Sequence, residues 1–130
     1  MNSGIIPTSW AGPLQALLRV VTGLLFVEHG TVKLFGFPTD SGMGALPPLL
    51  LAAAILEVVG GVLVTVGFLT RWAAFLLAGE MAVAYFMAHF PKTFWPVGNG
   101  GEAAILFCFI FLFFAAAGAG PYSVDDSRKA

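Results

Sequence analysis

The stretch at residues 14–37, LQALLRVVTGLLFVEHGTVKLFGF, constrains this chain more than any other. At about 1.5 Å per helical residue it is long enough to cross a bilayer core of roughly 30 Å. It nevertheless carries Arg19, Glu28, His29 and Lys33. A charge at membrane depth costs about 2.5–3.5 kcal/mol on insertion scales, so such groups persist where they face a bundle interior or a site. A helix that only anchors has no use for four of them, and the remaining chain must supply their partners.

The rest of the 130 residues fits a membrane setting. The chain is 58% hydrophobic and only 10% charged, against about 25% charged residues in soluble domains. Its 13 Phe suit lipid-facing surfaces and its 16 Gly suit close helix contacts. A net charge of −1 offers no electrostatic footprint for nucleic acid. Cys108 is the single cysteine, which excludes an internal disulfide and a CxxC redox pair. The start MNSGIIPTSW lacks a basic n-region and a cleavage site, so the first span is expected to act as its own uncleaved insertion signal.

Three further apolar runs follow. Turn chemistry in PTDSGMGALPP separates the first span from a second at about residues 48–68, which holds Glu57 and Gly60-Gly61. The link Leu69-Thr70-Arg71 is short enough to force antiparallel neighbours. A third span at about 72–90 carries Glu80 and His89, and PKTFWPVGNGG leads to a fourth at about 102–119. The expectation is an all-α, integral membrane, antiparallel four-helix bundle in one domain over residues 1–130. Residues 1–13 form an interfacial lead and 120–130 a polar, mobile tail. Spans one and two, and three and four, pair as hairpins. Arg19, Arg71, Arg128 and Lys129 lie on the terminus side and Lys33 and Lys92 on the other, which predicts cytoplasmic termini.

Depth and helical angle then sort the ionisable groups. Glu28, Glu57 and Glu80 each fall roughly 14–15 Å from the loop-side end of their span, in one layer near the bilayer middle. Three carboxylates cannot all stay ionised in a dry layer, so a proton held among them is expected, with Glu57 and Glu80 as candidate catalytic groups. Interhelical hydrogen bonding that only locks the packing is the plainer alternative for both. His29 and Lys33 lie above that layer, and His89, Lys92 and Glu102 lie nearer the boundary. At about 100° per residue, Arg19, Gly23, Phe26, Gly30 and Lys33 share one face, which His29 can join. Glu28 points the other way, toward another helix, a second copy or a cavity. On span two the glycines let another helix approach beside Glu57. His29 and His89 have no metal-type spacing, and no metal is expected. No phosphate-cradling loop, GxSxG or HExxH is present.

LLRVVTGLLFVEHGTVKLFGF resembles the opening helix of the DoxX family of small membrane proteins. EVVGGVLVTVGFLTRWAA resembles its second helix and turn, NGGEAAILF the opening of its fourth helix, and GPYSVD its end. The resemblance implies a four-helix protein of the bacterial cell (inner) membrane. It assigns family polar positions to Arg19, His29, Lys33, Glu57, Arg71 and Glu102, whereas the Glu28 position is commonly apolar there. The family takes its name from a subunit linked to a thiosulfate:quinone oxidoreductase, and some members resemble membrane partners in redox or thiol-stress complexes.

Three functions are weighed. The first is a membrane subunit of a redox complex, with a pocket opening away from the cytoplasm. There His29, Lys33, Glu57, His89 and Glu102 hold a quinone or similar molecule, while Arg19, Arg71 and Glu28 are structural. With no redox metal or dithiol in the chain, electrons must come from a partner or from the ligand. The second is a non-catalytic binding or assembly module, docked to a partner protein or to its own copies in the lipid bilayer. The third is a small-solute or proton transporter, disfavoured by the lack of inverted repeats.

Overall fold

The structure, a computed structural model, describes residues 3–129. The first two residues of the expected lead and residue 130 of the expected tail lie outside them. The described residues are helical or irregular, without strands. A 3-10 turn, Thr8–Trp10, leads into α1, Ala11–Phe35. α2 is Pro48–Val66. α3 is Thr70–Ala84, continued by a π-helical turn at Tyr85–His89. A short α4, Pro96–Asn99, precedes α5, Glu102–Ala117, and α6, Val124–Ser127, ends the described chain.

Local chemistry sets these limits. Pro48 occupies the first turn of α2, where its missing N–H is one the helix would leave unbonded anyway. α2 stops at Gly67, whose φ of 72° is open to glycine at little cost. The N–H groups of Gly67 and Phe68 close the end on Val64 and Leu63 carbonyls. Leu69 also adopts a left-handed φ of 52°, so the turn is complete before Thr70. Thr70 and Arg71, expected in the link, therefore begin α3.

α1 packs along α2 and α3 along α5, with α2 against α3 joining the two pairs. The pair Gly60-Gly61 makes the α2 contacts possible. A Cβ on Gly61 would stand 3.1 Å from the Gly23 carbonyl oxygen of α1, and one on Gly60 would stand 2.8 Å from Leu77 Cδ2 of α3. Gly61 thus admits the backbone of α1 on one side of α2, and Gly60 admits the Leu77 side chain of α3 on the other. The core between the pairs holds Phe26, Val64, Leu77, Met81, Phe111 and Phe114. Phe26 meets Phe111 edge-on at 4.9 Å between ring centres.

Among the described residues, three helices are long and apolar enough to cross a membrane: Thr8–Phe35, Pro48–Val66 and Thr70–His89. α5 is apolar but only 16 residues long, about 24 Å at the helical rise. The start of α1 and the end of α5 lie at the same end of the bundle, because Gln15 Nε2 donates to the Gly118 carbonyl at 3.0 Å.

The segment expected to be a mobile tail makes specific contacts instead. The Asp125 carboxylate accepts the N–H groups of Leu69 at 2.9 Å and Thr70 at 3.0 Å, capping α3 from outside the helix. Ser123 caps α6 by accepting the Asp126 N–H at 3.0 Å.

Candidate functional site

Lys33 and Glu57 meet between α1 and α2. Lys33 Nζ donates to both Glu57 oxygens, each at 2.8 Å. Glu57 stands midway along α2, and its side chain is 1% exposed, while that of Lys33 is 24% exposed. Lys33 reaches it from the last turn of α1 by lying its stem along the interface. Glu80 of α3 completes the group. Its carboxyl lies beside that of Glu57 and within electrostatic range of Lys33. Glu80 Oε1 is buried and has no hydrogen-bond partner.

Energetics argue against a purely stabilising role for this pair. Two unit charges 2.8 Å apart attract by about 6 kcal/mol at an effective dielectric of 20. Removing each ion from water costs several kcal/mol, so the net gain over an apolar pair is close to zero. A second carboxyl with an unbonded oxygen adds further cost. Ammonium, carboxylate and neighbouring carboxyl together can accept, hold and release a proton without exposing it to lipid. Lys33 also lines a cavity of about 350 Å³ with Phe35, Gly36, Asp40 and Ser41, under the α1–α2 connection. One flank of the trio therefore borders a space at the loop end of the bundle.

The other expected site residues lie elsewhere. Glu28 is exposed on the face of α1 turned away from α2, so the layer of three carboxyls reduces to Glu57 and Glu80. The helical angle already placed Glu28 there, and depth alone was misleading. His29 is exposed too, with its ring edge-on to Phe107 of α5 at 5.6 Å. Glu102 is exposed in the first turn of α5, where its charge suits the helix dipole. His89 belongs to a second polar cluster at the π-turn. Its Nδ1 lies 3.1 Å from the Asn99 carbonyl oxygen. Asn99 in turn donates to Tyr85 Oη at 3.1 Å and to the Thr93 carbonyl at 3.0 Å, and accepts the Gly101 N–H at 2.8 Å. Of the five expected ligand-binding residues, only Lys33 and Glu57 bond to each other; His89 bonds Asn99, and His29 and Glu102 are exposed.

Arg19 is buried at the terminus end, where it donates to the carbonyls of Ala119 at 2.6 Å, Pro121 at 3.2 Å and Tyr122 at 2.7 Å. These bonds satisfy carbonyls of the irregular segment between α5 and α6. Arg71 lies exposed against Gly118. Sequence reasoning missed Asn99 and Asp125. Asn99 between two glycines is an available signal, because Asn commonly bonds backbone groups within turns. Nothing local marks Asp125, whose partners are 55 and 56 residues away.

Comparison with known proteins agrees with this architecture. The DoxX family matches residues 14–90, which include Lys33, Glu57 and Glu80. A Haemophilus influenzae protein described as "Uncharacterized protein" is 44% identical over 117 residues, covering 85% of this chain and 87% of the relative. No solved structure matches. The chain belongs to the DoxX family of membrane proteins.

Proposed function

We propose that this protein is the membrane-embedded subunit of a redox complex of the bacterial inner membrane, handling protons for a quinone-type ligand at Lys33, Glu57 and Glu80. The reading takes α5, extended by residues 118–119, as a fourth span, with both termini cytoplasmic. The observation that carries it is the Lys33–Glu57 pair, midway along α2, with the Glu80 carboxyl of α3 beside it, one of whose oxygens is buried without a partner. Reducing a quinone to a quinol takes two electrons and two protons. The chain holds no dithiol, so the electrons come from a partner subunit. Lys33 orients the headgroup from the cavity side by hydrogen bonding, and the Glu80 carboxyl and the Lys33 ammonium supply the two protons, both being reprotonated through the cavity that Lys33 borders.

The test is mass spectrometry of small molecules bound to protein purified in mild detergent, combined with thermal unfolding in the presence of added quinone. A co-purifying quinone is expected, with a quinone-dependent rise in stability that Glu57→Gln and Glu80→Gln abolish. Absence of both bound quinone and any quinone-dependent stabilisation sinks the proposal. An assembly role without chemistry is the second reading, favoured by the exposure of Glu28 and His29 on α1. A partner protein that co-purifies stably while added quinone changes nothing would support it.

A further inference from the structure

The outer face of α1 adds ionisable groups to an apolar stripe of the kind α2 also exposes at Ile55, Val59, Val62 and Val66. Leu14, Leu17, Leu18, Val21, Leu24 and Leu25 are exposed along it, and the stripe runs into Glu28 and His29, also exposed. Positions 14, 21 and 28 recur at seven residues, as do 17 with 24 and 18 with 25. That spacing keeps one seam facing a partner helix. The opposite face, with Arg19, Gly23, Phe26 and Gly30, is already covered by the bundle. Among the described residues, no hydrogen bond or ion pair reaches the Glu28 carboxylate or the His29 ring.

We infer that this stripe joins α1 to α1 of a second copy, with Glu28 of each copy bonded to His29 of the other. Leucines alone do not drive such contact, because lipid tails are as apolar as they are. The polar pair does, since in a single copy both side chains are exposed at membrane depth, Glu28 toward lipid and His29 with one edge of its ring against Phe107 of α5 and its nitrogens without a hydrogen-bond partner. Seen down α1, Glu28 lies about 30° to one side of the stripe's centre line and His29 about 70° to the other, given about 100° per residue. A two-fold axis along the membrane normal reverses the sides, so it sets Glu28 of one copy opposite His29 of the other, twice. Copies inserted in the same orientation also match in depth, because the two residues differ by only about 1.5 Å in rise. The face is self-complementary in charge. A partner bearing one charge would leave either the acid or the imidazole unpaired.

Cross-linking of the full chain in native membranes tests this. Cys108→Ala provides a cysteine-free background, with Cys108→Ser in its place if helix content falls. Single cysteines at Leu14, Val21 and Leu25, nearest the centre line, probe the stripe, and Val59 on α2 and Phe75 on α3, both exposed, serve as controls. Oxidation is expected to yield a band at twice the chain mass of 13.7 kDa for the stripe positions and not for the controls, since a disulfide needs Cα atoms within about 7 Å. Glu28→Ala is expected to lower the cross-linked fraction about tenfold. The exchange Glu28→His with His29→Glu is expected to restore it. No cross-link, equal cross-linking of the controls, an adduct of another mass, or insensitivity to Glu28→Ala would each overturn the inference.

Discussion

Lys33 of α1 holds both carboxylate oxygens of Glu57 of α2, across a seam that Gly23 and Gly61 make narrow enough for the bond. The glycines and the ion pair depend on each other. Close backbones place the two charges in contact, and their contact makes burial of Glu57 tolerable.

Breaking that pair from one side should destabilise the protein sharply. Glu57→Leu or Lys33→Met alone is expected to lower unfolding free energy by about 3–5 kcal/mol, because each strands a buried charge. The double variant Lys33→Met with Glu57→Leu should recover most of that loss. Chemical unfolding in detergent checks this, and a double variant as unstable as its parents would refute it.

Glu80 should behave oppositely. Its Oε1 has no partner to lose, so Glu80→Met is expected to stay within about 1 kcal/mol of the native stability or to exceed it. The same variant should lose the quinone response. A loss of stability well beyond that range would reveal a structural role instead.

The helix contacts predict a contrast between glycines. Gly61→Val should cost about 1–3 kcal/mol by forcing α1 and α2 apart. A Cβ on Gly79 meets nothing within 4 Å, so Gly79→Ala is expected to stabilise by about 0.5–1 kcal/mol through helix propensity. Thermal unfolding of the two variants side by side is the measurement.

The tail gives the protein an acid-sensitive clasp. Burial acts to raise the Asp125 carboxyl, but the Thr70 and Leu69 N–H groups and the Arg128 charge outweigh it and hold it below its ordinary value. A carboxyl depressed in the folded state contributes fully above its unfolded value, near pH 3.9. The contribution disappears as pH falls through the lower folded value. Asp125→Ala should therefore cost about 1 kcal/mol near neutrality, as other lost helix caps do. The difference from the native protein should vanish in strong acid. Hydrogen exchange at the Leu69 and Thr70 amides as a function of pH reads this directly, and a pH-independent difference would count against the cap.

How much was legible beforehand depended on the range of the interaction. The helices at 48–66 and 102–117 lie where apolar runs and turn residues place them, because hydrophobicity and proline or glycine act locally. Depth along a helix put Glu57 and Glu80 at one level, and the structure brings them together. His29, His89 and Glu102 group with Lys33 only because all lie on the loop side of that layer, and position along a helix axis does not fix azimuth. The His29 ring packs against Phe107 of α5, Glu102 is exposed, and the π-turn carries His89 to Asn99.

The sequence by itself determined a helical membrane protein, its hairpin pairing and the cost of its intramembrane charges, since composition and spacing decide what lipid will accept. Tertiary structure alone decided that Lys33 serves Glu57, that Arg19 and Asp125 tie the tail to the bundle, and that Glu28 and His29 are left outside. These outcomes depend on how helices are rotated and packed against one another, and that rotation is a property of the assembled bundle that no single segment encodes.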